Sequence, residues 1–342
     1  MPGARPVRDE DAVDAEEVAA WLAREVPGLT GVPEVLQFAG GASNLTYLLR
    51  YPDRDLVLRR PPAGHKAAGA HDMAREFDVQ RRLRPLFPAV PTVLVHDPVQ
   101  DRYAMEHVPG LILRADLPRG TELAPERARE LGLGMFRALA DLHAVDLDAA
   151  GLRDLGKGDG YVRRQVEGWS RRYRAALTDD VPDAEDVMAW LDAHQPSDVG
   201  QVLVHGDWRF DNLVLDPDDL SRVRAVLDWE MATVGDPLMD LGAALAYWVQ
   251  ADDDDLFRLM RRQPSDVPGM PTREEVVADY AARSGREVGD WTFYEVYGLF
   301  RLAVIVQQIW YRYRAGQTTN PAFQHFGGAC TLLVERCRAR LA

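Results

Sequence analysis

The chain has 342 residues, 46% hydrophobic and 27% charged, with 40 basic against 54 acidic side chains and a formal net charge of −14. That length suits two lobes better than one core, and the acidic balance disfavours nonspecific nucleic-acid binding, because neutralising phosphates takes a basic surface. No apolar run reaches the ~20 residues needed to span a bilayer, and the opening MPGARPVRDEDAVDAEEV has no apolar centre of a secretory signal, so the expectation is a cytoplasmic protein with no nucleic-acid or membrane partner.

Residues 14–26, DAEEVAAWLAREV, space apolar side chains as a helix does, behind Asp14 and Glu17 placed like a capping box. VLQFAGG, SNLTYLLRY and DLVLRR follow as short alternating segments separated by Gly40-Gly41 and PDRD, the pattern of antiparallel strands and hairpins. Residues 72–86 read as a second helix, then TVLVHD and RYAMEHV as two further strands. After Pro109-Gly110 the pattern changes to long amphipathic segments at 125–144, 160–177, 183–194, 273–284 and 290–314, interrupted by short apolar strands between 202 and 230. The expected class is α+β: residues 1–108 form a small antiparallel-sheet lobe with a leading helix, and 109–342 a larger, mostly helical lobe. Ligands favour the clefts that such divisions create. The acidic runs DEDAVDAEE and DDDD at 252–255 read as solvated segments, and Cys330 and Cys337, seven apart, as core or half-buried thiols on one helix face.

The stretch VLVHGDWRFDNLVLD, 202–216, does not fit core construction. An apolar strand ends at His205-Gly206-Asp207, and a second strand starts at Asn212. A third apolar run, RAVLDWE, ends in Asp228; if the second and third pair through DPDDLSR, Asn212 and Asp228 meet at one end of that hairpin. Oxygen donors from an Asn and an Asp suit Mg²⁺, which takes few protein ligands and fills its shell with phosphate and water. A carboxylate set apart from the metal can accept a proton from an attacking hydroxyl, and phosphoryl transfer needs that division of labour. Singly, either Asp would be read as a turn residue; the ordered set points to chemistry.

HGDWRFDNLVLD followed by VLDWEMATVGDPLMDLG resembles the aminoglycoside phosphotransferase and choline kinase group. VLRRPP, AHDMAREFDV and GDPLMDL are similar, more closely, to the kinase-like domain fused to certain acyl-CoA dehydrogenases. The resemblance covers roughly residues 30–330 and implies a protein-kinase-like two-lobed fold and an ATP- or GTP-dependent, Mg²⁺-dependent kinase acting on a small-molecule hydroxyl. It implies Asp207 as catalytic base, Asn212 as metal ligand, Asp228 as principal metal ligand and Asp240 as a brace accepting backbone hydrogen bonds from the catalytic loop. In the small lobe it assigns phosphate contacts to Gly40-Gly41-Ala42-Ser43-Asn44, of which Gly41, Ser43 and Asn44 are the candidates. It also assigns a cation, Arg59 where most kinases have Lys, to the α- and β-phosphates, with Glu76 holding it, and backbone groups of Glu106 and Val108 to adenine. Adjacent strand residues face opposite sides, so Arg60 competes with Arg59; the match to VLR favours Arg59.

GLRDLGKG at 151–158 nearly spells a Walker loop, but it ends in Gly158 instead of Ser or Thr and follows no apolar strand. His143 and His205 read as structural, His143 satisfying the last carbonyls of its helix. GYVRRQVEGWSRRY and FRLAVIVQQIWYRYRAGQ mix arginines with aromatics, which suits an anionic or acyl-CoA-like acceptor better than a polycationic one. The competing readings are a catalytically silent nucleotide- or metabolite-binding module and an aminoglycoside-modifying resistance kinase.

Overall fold

A computed structural model describes residues 4–38, 44–62 and 72–341. The chain separates into two compact units: Met1–Gly110 with Arg224–Glu230, and Leu111–Val223 with Met231–Ala342. The segment 224–230 lies in the second lobe by chain position but packs with the first unit.

In the first unit β1 (Ala4–Pro6), β2 (Glu34–Phe38), β3 (Leu45–Arg50), β4 (Asp55–Arg60), β5 (Val93–Asp97) and β6 (Arg102–Glu106) form one sheet in the order β1-β2-β3-β4-β6-β5, every pair antiparallel. Helix α1 (Ala15–Glu25) begins at Asp14, whose carboxylate accepts the N–H groups of Glu16 and Glu17. Its Val18, Trp21 and Leu22 pack with Tyr47, Leu49, Leu56 and Leu58. Each such full burial contributes about 1.5–3 kcal/mol. Helix α2 (Met73–Leu83) sends Met73 and Phe77 against Val57, Tyr103 and Met105. The period-two alternation of β4 therefore gives Leu56 and Leu58 to the α1 side and Val57 to the α2 side. Arg59 shares the parity of Val57, and Arg60 that of Leu58.

Two acidic segments differ from the solvated reading. Asp11 is 7% exposed: its carboxylate accepts the Gln37 amide, while its carbonyl accepts the Tyr47 hydroxyl and the Arg60 guanidinium. Asp253 is clamped by Arg273 and Arg336 at 2.8 and 2.7 Å, with 5% of its side chain exposed. Strand β1 was not expected either, since the sequence ARP shows no alternation; it is an edge strand whose residues are exposed or half-buried.

The second unit holds α3 (Pro125–His143), α4 (Tyr161–Ala175), α5 (Glu185–Ala193), β7 (Val202–Val204) and β8 (Leu213–Leu215). Strand β9 (Val223–Val226) starts in this unit and leaves it; β10 (Thr233–Gly235), α6 (Pro237–Leu245), α7 (Asp255–Leu259), α8 (Arg273–Ser284), α9 (Thr292–Arg314) and α10 (Phe326–Leu341) complete it. The turn after β8 closes where the Asp216 N–H donates to the Arg222 carbonyl. Strands β7 and β10 pair antiparallel, with Val204 opposite Thr233. Helices α6 and α9 meet backbone to backbone through Gly242 and Gly298: a Cβ on Gly298 would lie 2.1 Å from the Gly242 carbonyl oxygen. Helix α10 turns Cys330 and Cys337 onto α9, where each Sγ donates to a carbonyl, those of Ala303 and Val296. Both thiols are free and buried, and burial pushes Cys330 up to about 11 and Cys337 higher. Among the described residues no helix is long and apolar enough to cross a membrane.

Candidate active site

The first unit carries a charged cluster on the α2 side of its sheet. Arg59 Nη1 lies 2.9 Å from Glu76 Oε1 and its Nη2 lies 3.1 Å from Asp228 Oδ1. Arg59 and Glu76 are 7% and 1% exposed, whereas the Asp228 side chain keeps 30% of its surface open. Glu76 Oε1 also accepts the Trp229 N–H, which fixes the segment that carries Asp228. Trp229 is fully buried and its indole donates to the Val226 carbonyl. Burial would lower the Arg59 guanidinium, but Glu76, Tyr103 and Asp228 outweigh it and hold the group well above its ordinary value. Burial pushes the Glu76 carboxyl up to about 7 against the pull of Arg59. Asp228 itself has φ +67, a left-handed conformation that Asp tolerates better than most residues.

Arg60 points to the opposite side, to the Tyr47 hydroxyl and the Asp11 carbonyl, so Arg59 is the arginine paired with Glu76. Asn44 is 3% exposed and donates through Nδ2 to Glu230. Gly41 and Ser43, with Gly40 and Ala42, lie outside the described residues. The Glu106 N–H is taken by the Thr92 carbonyl; the Val108 N–H has no hydrogen-bond partner among the described residues.

In the second unit β7 ends at His205-Gly206-Asp207. Gly206 has φ +82, which favours glycine, and a Cβ there would lie a tight 3.1 Å from that of Met231. Asp240, in the first turn of α6, aims its carboxylate back at this loop. Oδ2 accepts the His205 N–H at 2.8 Å and Oδ1 the Gly206 N–H at 2.9 Å. His143 does not satisfy helix carbonyls as its position suggested; its Nε2 meets Asp240 Oδ2 at 3.2 Å and its Nδ1 the Tyr280 hydroxyl at 2.7 Å. Burial by itself would raise Asp240, but the His143 hydrogen bond and the surrounding charges and N–H groups hold it below its ordinary range. His205 is fully buried, and its Nδ1 accepts the Asp207 N–H, which makes it a shaping residue.

A short 3₁₀ turn, Phe210–Asn212, brings Asn212 back onto Asp207. Asn212 Nδ2 donates to the Asp207 carbonyl at 2.8 Å and to its Oδ2 at 2.9 Å. With the amide nitrogen committed, the carbonyl oxygen Oδ1 is the group left to act as a donor to a cation. The geometry thus unites Asp207 with Asn212 in the second unit, and Arg59, Glu76 and Asp228 in the first.

Two arginines were not singled out in the sequence, although Arg301 lies in one of the segments offered for the acceptor. Arg209 Nε lies 3.2 Å from Asp207 Oδ1 and its Nη2 3.2 Å from Asp211, while the guanidinium covers the Tyr247 ring at 4.9 Å. Burial raises Asp211 against the pull of Arg209. Arg301, in the middle of α9, donates to the Gly206 carbonyl. Its signal was legible: FRLAVIV places one charge inside an apolar helical run.

The family model for phosphotransferase enzymes matches residues 34–292. Acyl-CoA dehydrogenase family member 10 of Mus musculus is 37% identical over 346 residues, covering 98% of this chain but 32% of that protein, so the chain spans about a third of that relative's length. A solved Ralstonia eutropha protein described as an aminoglycoside phosphotransferase is 30% identical with a TM-score of 0.81, covering 96% of this chain and 98% of the other. An aminoglycoside phosphotransferase solved as a ternary complex with AMP-PNP and hygromycin B shares the fold at 16% identity, with a TM-score of 0.56 and coverage of 94% and 98%. The α+β architecture is that of these kinase-like transferases, and the chain belongs to the phosphotransferase enzyme family.

Proposed function

We propose that the protein is an ATP- and Mg²⁺-dependent kinase that transfers the γ-phosphoryl group to an alcohol of a small molecule. Asp207 accepts the proton of the acceptor hydroxyl. Asn212 Oδ1 and the Asp228 carboxylate are the metal ligands, and the donor set fits a hard cation that needs few protein oxygens. Mg²⁺, when bound with ATP, neutralises the phosphate charge that builds during transfer. Arg59, kept cationic by Glu76, contacts the α- and β-phosphates; Gly41, Ser43 and Asn44 offer the remaining phosphate contacts, and Glu106 and Val108 present backbone groups to adenine. The Val108 N–H, which has no hydrogen-bond partner among the described residues, supports that last role.

The observation that carries this reading is the double hydrogen bond from Asn212 to Asp207, which commits the amide nitrogen and supports Oδ1 as the atom for the metal and Asp207 as the base. It is joined by membership in the phosphotransferase family. The acceptor is anionic or acyl-CoA-like. A cavity of about 280 Å³ along α4 is lined by Lys157, Arg164, Arg171 and Arg172 against the single carboxylate Glu167, which favours an anion over a polycationic aminoglycoside.

Thermal shift with ATP and with GTP, each with and without Mg²⁺, tests nucleotide binding. Nucleotide consumption over a panel of hydroxylated metabolites, aminoglycosides included, tests transfer. A Mg²⁺-dependent shift with ATP and turnover on an anionic alcohol are expected; nucleotide binding with no turnover on any acceptor would favour the silent module.

A further inference from the structure

Arg301 occupies a place where the core asks for an aliphatic side chain. Its neighbours Phe300, Leu302, Ala303 and Val304 are buried, and Arg301 itself is 4% exposed. Among the described residues no carboxylate oxygen lies within 4.0 Å of its guanidinium. Burying an unpaired cation costs several kcal/mol, so the group must be held by weaker partners. They are the Gly206 carbonyl, which accepts from Nη2, the Met231 sulfur at 3.9 Å, and the Trp169 ring, whose centroid is 5.1 Å away. Burial would lower the guanidinium, but its surroundings, in which Asp207 is the negative charge, hold it above its ordinary value.

Gly206, at φ +82, has no side chain to hold its own conformation, and its flexibility must be restrained from outside. Asp240 takes the N–H groups of His205 and Gly206, and Arg301 takes the Gly206 carbonyl, so Gly206 is held at both of its backbone polar groups, while the N–H of the Gly206–Asp207 peptide donates to His205 Nδ1. The two grips come from α6 and α9, whose close approach at Gly242 and Gly298 sets their spacing.

We infer that Arg301 is a positioning residue for Asp207, fixing the Gly206–Asp207 peptide and with it the direction of the carboxylate. The inference rests on Asp207 being the catalytic base for its effect on turnover, but not for its effect on the loop. Losing a charge-assisted hydrogen bond of this type corresponds to roughly a 10- to 100-fold effect.

The test compares Arg301→Met, Arg301→Gln and Arg301→Lys with wild type by amide hydrogen exchange and by steady-state kinetics. In Arg301→Met the amides of residues 206–208 are expected to exchange roughly 10- to 100-fold faster while those of α3 and α9 keep their protection. Turnover should fall by a similar factor with KM for ATP unchanged, and Arg301→Lys, which retains a charged donor, should recover most of both. Should the methionine variant fail to fold, Arg301→Gln against Arg301→Lys carries the same comparison. Wild-type exchange in the loop of the methionine or glutamine variant, or an equal rise throughout the second unit, overturns the inference. A wild-type protein that transfers no phosphoryl group would defeat the kinase reading instead, and loop exchange would still decide the role of Arg301.

Discussion

Asp240→Asn isolates the brace behind the candidate base. The native carboxylate is buried and accepts three hydrogen bonds, from the His205 and Gly206 N–H groups at 2.8 and 2.9 Å and from His143 at 3.2 Å. An amide keeps one acceptor oxygen and turns an NH₂ towards an N–H. One charge-assisted bond is lost, about 1.5–3 kcal/mol, and one buried donor is left unsatisfied, about 1–3 kcal/mol. A total of about 3–5 kcal/mol follows, which lowers Tm by roughly 6 to 20 °C for a unit of this size. The sign of the pH dependence is fixed by the direction of the shift. Asp240 is held below its ordinary range in the folded protein, so its contribution is whole above the unfolded carboxyl value of about 3.9 and disappears as pH falls through the folded value. Thermal unfolding of wild type and Asp240→Asn between pH 7 and pH 3 should show a gap that is full at neutral pH and narrows below about pH 4. A gap under about 1 kcal/mol at pH 7, or one that stays constant into acid, would refute the brace.

Glu76→Ala leaves Arg59 buried with Asp228 as its remaining ion pair. A loss of about 3–5 kcal/mol in urea unfolding is expected, well above that of Arg60→Ala, whose side chain is only partly buried; equal losses would remove the distinction between the two arginines. Gly298→Ala puts a methyl group 2.1 Å from the Gly242 carbonyl oxygen, which forces α6 and α9 apart and should cost about 1–3 kcal/mol or more; an unchanged melting curve would contradict the close contact. Cys330 and Cys337 should resist a thiol reagent such as DTNB in native buffer and react in denaturant, because both are buried with raised pKa. Rapid labelling of the native protein would count against the packing of α10 on α9.

The sheet, the helices and the Asp207–Asn212 motif were legible because each has a short-range signature: alternation in β3 and β4, 3.6-residue spacing in α1 and α9, and turn residues between them. The Arg59–Glu76 pair was legible only through resemblance, since the two are separated by a segment with no local sign of contact. What the sequence hid was long-range. Asp11 looked solvated because its partners, Gln37 and Arg8, lie on or beside strands whose pairing the acidic run does not announce. Asp253 sat in a run of four aspartates, yet two arginines from α8 and α10 close on it. His143 carried the ordinary signal of a helix C-terminus, and only the fold brings α6 and Tyr280 to its ring. Arg301 did leave a trace, a cation in an apolar helix, whose meaning required the Gly206 carbonyl as partner.

The most direct test of the central claim is phosphoryl transfer from Mg²⁺-ATP by wild type and Asp207→Asn on an acceptor found in the metabolite screen, with nucleotide affinity measured in parallel. The substitution should leave Mg²⁺-ATP binding near the wild-type level and lower turnover by about 10²-fold or more, as expected when a general base is removed. Full turnover by Asp207→Asn, together with normal Mg²⁺-ATP binding by Asp228→Ala, would contradict the assignment of base and metal ligand alike.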